Sequence, residues 1–107
     1  MQGTGTDVTR VRTAAELAAA VDEHDRLLVE FYTEGCGACA AMDPVLGIVA
    51  RATGVPVVTM NPRDDPAPID EYGIGSVPTL IRFEDGDPIR RLSEGFVGAE
   101  RVIELLD

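Results

Sequence analysis

Lysine and tryptophan are absent from this sequence, and histidine and cysteine are scarce, with one and two copies. Each shortage narrows the function. Nineteen acidic residues face nine basic ones, all arginine, for a net charge of −10. Binding to nucleic acid or to an anionic membrane needs clustered positive charge, so neither partner is expected. No run approaches the roughly 18 apolar residues of a membrane span. Residues 1–7 have neither a basic region nor an apolar core, so they read as a flexible terminus rather than a signal peptide. Two cysteines are too few for a secreted disulfide scaffold. Together these features lead us to expect a cytoplasmic protein and a monomer. The lysine-free, acidic composition fits either a GC-rich genome or a salt-rich cytoplasm, in which screening relieves self-repulsion.

A composition of 45% hydrophobic and 26% charged residues is that of a folded domain. One domain, running from residue 8 to the end of the 107-residue chain, buries roughly two thirds of the surface its unfolded chain exposes. Residues 8–12 alternate as a short edge strand. Thr13 and Glu16 form a capping box ahead of a helix whose apolar face is Ala14, Leu17, Ala18 and Val21. Residues 27–33 are almost continuously apolar, as in a central strand covered on both faces, and Glu30 interrupts them. Met42, Val45, Leu46 and Val49 trace a second helix, with Pro44 inside it and expected to kink it, and Gly54 ending it. Residues 55–60 make a strand, and at most one short helix follows near residues 69–72. Two strands, 79–84 and about 89–93, are joined by the hairpin signal Asp85-Gly86. Ala99, Val102, Ile103 and Leu106 close the chain as an amphipathic helix. The order β-α-β-α-β-α-β-β-α makes an α/β sandwich.

Both cysteines fall together, in Cys36-Gly37-Ala38-Cys39, directly after the central strand. A C-x-x-C at a helix start reads as a redox-active dithiol. An exposed Cys36 at the helix mouth gains from the positive dipole end and is placed to attack a target disulfide. Cys39, one turn further and three residues before Met42, lies on the buried stripe. A carboxyl buried in an apolar strand has a raised pKa, so Glu30 is the candidate proton acceptor for Cys39. The alternatives are a glutamate reaching past the sheet edge to water, or one paired with an arginine such as Arg82. Glu34 reads as a solvated loop acid, and His24 as a helix-end residue without catalytic partners.

The order of elements and several stretches resemble the thioredoxin family. Val29-Glu30-Phe31-Tyr32 with Cys36-Gly37-Ala38-Cys39 is similar to its active-site segment, and Pro44 falls where that family has a helix proline. Tyr72-Gly73-Ile74 through Val77-Pro78-Thr79 resembles the segment bearing the family's cis-proline. Phe83-Glu84-Asp85-Gly86 resembles the hairpin, and Gly95 the glycine before the last helix. The resemblance implies a central mixed sheet of about five strands flanked by about four helices. It implies a thiol-disulfide oxidoreductase that needs no bound cofactor beyond its own Cys36–Cys39 disulfide. Its partners would be protein disulfide substrates and a thioredoxin reductase or other electron donor. By the same resemblance Val77 and Pro78 pack against the sulfurs, the Val77 backbone pairs an extended target strand, and Gly35, Gly37, Ala38, Ser76 and Gly95 border the groove. General reductases of the family usually carry tryptophan at the position of Gly35, proline at Ala38, aspartate at Glu30 and often lysine at Thr59. An oxidase, an isomerase or a glutaredoxin-like protein of the same fold remains open. So do a metal or cluster module built on the two thiolates and a docking protein without turnover.

Overall fold

The computed structural model describes residues 8–107; the terminus assigned above to residues 1–7 lies outside them. Five strands and four helices follow in the order β1 (Val8–Val11), α1 (Ala14–Glu23), β2 (Arg26–Phe31), α2 (Gly37–Thr53), β3 (Val57–Met60), α3 (Ala67–Tyr72), β4 (Thr79–Glu84), β5 (Asp87–Leu92) and α4 (Ala99–Leu106). They form one mixed sheet in the spatial order β1-β3-β2-β4-β5. The three N-terminal strands run parallel, and β4 and β5 are antiparallel additions.

Strand β2 lies at the centre, and this explains its unbroken apolar run. Leu27, Val29 and Phe31 point to one side, where Leu17 and Val21 of α1, Tyr72 of α3, Ile81 and Phe83 complete a core. Leu28 faces the other side, against Met42, Leu46 and Val49 of α2 and Val102 and Leu105 of α4. Glu30 has the same parity as Leu28, so it belongs to the α2 face. Its ladder partners are Thr59 on β3 and Leu80 on β4. Glu30 is therefore the one buried charged residue of a strand whose other charged residue, Arg26, is exposed at its start.

Most ends of elements have local causes. The Thr13 hydroxyl accepts from Glu16 N at 3.0 Å and starts α1. The Glu16 carboxylate accepts from Arg12 N at 2.7 Å, one residue before the cap. The free amide of Ala14 is satisfied from a distance, by Asp65 Oδ2 at 2.8 Å. Ala18 is exposed, and Ala20 takes its place beside Leu17 and Val21. Pro44 leaves α2 continuous, and Gly54 ends it at φ +74°. Pro56 precedes β3, and its carbonyl accepts from Leu28 N. Asp85 and Gly86 both take positive φ, +52° and +87°, as a tight primed hairpin turn requires. A register shift between Arg82 and Phe83 bends the β4–β5 ribbon. Among the described residues, no helix is long and apolar enough to cross a membrane.

Candidate active site

The site forms where β2 runs out and α2 begins. Tyr32 still bonds to the sheet, donating its amide to Met60 O, and the chain then turns through Gly35 at φ +82°. That left-handed value suits glycine, and in this backbone any other residue at position 35 would be strained. Cys36 is the N-cap of α2, with φ −88° and ψ 108°. Its Sγ accepts from Cys39 N at 3.1 Å, in the way a serine or aspartate oxygen caps a helix. Cys36 O accepts from Ala40 N. The sulfur is thus held against the unsatisfied amides and positive dipole end of a 17-residue helix. Cys36 and Cys39 are joined as a disulfide, their Cα atoms 5.2 Å apart. Cys36 is half-buried and Cys39 only 3% exposed.

A second loop closes over this helix start. The Val77–Pro78 peptide bond is cis, and Val77 O lies 4.0 Å from Cys36 Sγ. Thr79 Oγ1 donates to Ser76 O at 2.6 Å and lies 2.9 Å from Ser93 Oγ, which ties the proline loop to the end of β5. The turn that follows β5 contains Gly95 at φ +77° and rests on the active-site helix, with Val97 N 3.5 Å from Met42 Sδ. The structure therefore gathers Cys36, Cys39, Val77 and Pro78. Gly35 and Gly37 are exposed beside them, and Ala38 is half-buried between the cysteines. Ser76 joins through its carbonyl, and Gly95 through the loop that rests on Met42.

Glu30, on the α2 face of β2, is 1% exposed. Its Oε2 is buried with no hydrogen-bond partner. Burial first, and the charge of Asp43 second, lift its pKa from 4.5 to about 8. Neither alternative proposed for Glu30 is realised. Central burial keeps the carboxyl from the sheet edge, and Arg82 turns to Glu84 Oε1 at 2.5 Å and to Leu105 O at 3.4 Å. The helix-end His24 lies 3.8 Å from Glu23, far from the cysteines in the sequence.

A cavity of about 370 Å³ opens beside the cysteines, lined by Arg10, Tyr32, Glu34, Cys36, Cys39, Asp43 and Thr59 among others. Arg10 and Asp43 carry no signal of their own in the sequence. Asp43 could have been found by spacing, since it follows Cys39 by four residues and so shares its helix face. Arg10 reaches the cavity from the edge strand, 3.5 Å from Asp64 and 5.6 Å above the Tyr32 ring. Among the described residues, no three His, Cys, Asp or Glu side chains converge as a metal site would need.

Residues 8–107 match the family model for thioredoxin. The thioredoxin of Chlamydia caviae is 37% identical over 82 residues, covering 76% of this chain and 79% of that protein. That of Mycobacterium tuberculosis is 32% identical over 99 residues, covering 91% and 82%. Among solved structures, an asparagine-to-glutamine mutant of the thioredoxin from Halobacterium salinarum NRC-1 superposes with a TM-score of 0.89 at 26% identity, covering 98% of this chain and 92% of that one. Mitochondrial thioredoxin 3 from Saccharomyces cerevisiae, in its oxidised form, shares the fold at a TM-score of 0.77 and 24% identity, covering 94% and 93%. A helix-capping C-x-x-C disulfide under a cis-proline loop, on a chain so matched throughout, belongs to the thioredoxin family, and the protein is a thiol-disulfide oxidoreductase.

Proposed function

We propose that this oxidoreductase works as a reductase of protein disulfides in the cytoplasm, as a monomer. Cys36 is its nucleophile, Cys39 its resolving thiol and Glu30 its proton acceptor. The observation that carries the reading is the contrast between the two sulfurs. Cys36 is half-buried and its Sγ accepts a backbone N–H at the start of a long helix, whereas Cys39 is buried one turn inside. A thiolate is the attacking species, and amides at a helix start favour it. The Cys36 thiolate attacks one sulfur of the target disulfide, and the other sulfur leaves as thiolate and takes a proton. Cys39 then gives up its proton, attacks Cys36 and releases the second target thiol. Two electrons have moved from the dithiol to the target, leaving the Cys36–Cys39 disulfide. A separate reductase, flavoprotein or other, restores the dithiol.

Glu30 suits the proton step. Its pKa of about 8 lies near the ordinary thiol value of about 8.5, so transfer from Cys39 is close to balanced. The groove between the helix start and residues 76–78, bordered by Gly35, Gly37, Ala38 and Gly95, accepts an extended target segment, and the Val77 backbone supplies strand-like pairing. Direction is tested by equilibrating the Cys36/Cys39 couple against glutathione. A potential below about −220 mV is expected, and one near that of the strong oxidants, about −120 mV, would make the protein an oxidase or isomerase instead. The proton role is tested by Glu30→Gln. Mixed-disulfide resolution should lose its inflection near pH 8, and a profile identical to the parent's would remove Glu30 from the mechanism.

A further inference from the structure

The carboxyl proposed as the base at Glu30 has a second carboxyl near it, that of Asp43 in the wall of the cavity beside the cysteines. Glu30 and Thr59 are ladder partners on adjacent parallel strands, whose backbones run about 4.8 Å apart. Partners across a ladder leave the sheet on the same face, so the Glu30 carboxyl emerges beside Thr59. Thr59 in turn is a wall of the cavity. Asp43 lines the same cavity from α2 and is exposed. One carboxyl is thus buried behind the Thr59 wall, with Oε2 unpartnered, and a second lines the cavity from the exposed side.

We infer that Asp43 is a positioning residue for the proton step: its carboxylate at the cavity mouth sets the proton affinity of Glu30. The inference deepens the base role proposed for Glu30 and rests on it. The surrounding charges are consistent with an effect of Asp43 that is not cancelled. From α2, Cys39 and Asp43 line the cavity. From β3 and β4 they are Thr59 and Leu80, which carry no charge. From β1, Arg10 lines the cavity but is engaged by Asp64 and lies over Tyr32. Arg82, further along β4 on the same face, is held by Glu84. Tyr32 and Glu34 line the cavity on the loop side, and Glu34 adds negative charge if anything. Among the described residues, no salt bridge links a cation to Glu30 or Asp43. A cation at either Thr59 or Asp43 would favour the ionised form of Glu30; here one position is a neutral hydroxyl and the other an acid. Glu30 therefore keeps its proton to a higher pH, where it is a stronger base towards a thiol.

The test reads the Glu30 carboxyl directly, by carbon-13 NMR titration of the oxidised protein, in which neither cysteine titrates. Asp43→Asn should lower the Glu30 midpoint by about half a pH unit, about a threefold rise in its ionised fraction near neutrality. Asp43→Arg should lower it further, and Asp43→Glu should restore it. Asp43 is exposed, so these variants should fold. An unchanged midpoint across the series would overturn the inference. The pH profile of mixed-disulfide resolution, measured on the same proteins, should move with the midpoint. If the midpoint moves and the rate profile does not, control of Glu30 by Asp43 is upheld and the assignment of Glu30 as base fails.

Discussion

Replacing Cys39 by serine is expected to turn a catalyst into a trap. The attacking sulfur of Cys36 keeps its place at the helix start, and the serine is nearly isosteric, so the first exchange with a target disulfide proceeds. The second exchange cannot, because a hydroxyl at neutral pH does not supply the anion that a thiol does. A covalent one-to-one adduct with the target should accumulate, visible by mass spectrometry and released by dithiothreitol. Multiple-turnover reduction should fall on the order of a thousandfold or more. Cys36→Ser should abolish turnover to the same degree and yield no adduct. The two variants share the same loss of activity but differ in covalent product, and that difference assigns the roles. An adduct on Cys36→Ser and none on Cys39→Ser would reverse them. Burial argues against reversal, since Cys39 is 3% exposed and a target protein cannot reach it without first opening the helix start.

The parts of this molecule legible in the sequence were those set by neighbours along the chain. Thr13 and Glu16 mark a helix start whose bonds close within four residues. Asp85-Gly86 forces a hairpin because two consecutive positive φ values suit few residue pairs. The apolar run around Leu28 marks a central strand because burial on both faces leaves no polar alternation. Strand and helix ends shifted by one or two residues where the sheet sets the boundary, as for Pro56, which serves as an acceptor for β2 although it precedes β3. What the sequence left unread joins distant segments. Asp65 caps α1 from 51 residues away, Arg82 chooses Glu84 over Glu30, and Arg10 enters the active-site cavity from the far edge strand. None of these leaves a local pattern. The burial of Glu30 was legible because its own strand fixes it; the spacing of Asp43 from Cys39 gives their shared helix face, but that this face meets the cavity walled by Thr59 emerged only when α2 was laid across the sheet.

Glu30 should also make this protein's stability fall steeply as pH rises, and Glu30→Gln should remove that fall. The folded state raises the carboxyl from 4.5 to about 8, mostly by withholding water from its charge. Below pH 4.5 the group is protonated in both folded and unfolded chains, and burial carries no ionic cost. Between about pH 4.5 and 8 the folded chain holds a proton that the unfolded chain has released, so each rise in pH favours unfolding. Above pH 8 both are ionised, and the full cost of a buried, partnerless carboxylate is present. The shift corresponds to about 4–5 kcal/mol, a large share of the 5–15 kcal/mol or so that holds a domain together. Glutamine keeps the shape and removes the charge. Denaturant unfolding of the oxidised proteins should therefore give similar stabilities near pH 4.5, with the variant ahead by several kcal/mol at pH 9. Parallel curves over that range would mean that the carboxylate finds solvent or a counter-charge when it ionises. A carboxyl that destabilises the fold as pH rises persists for a reason other than stability, and the base role proposed for it towards Cys39 supplies one.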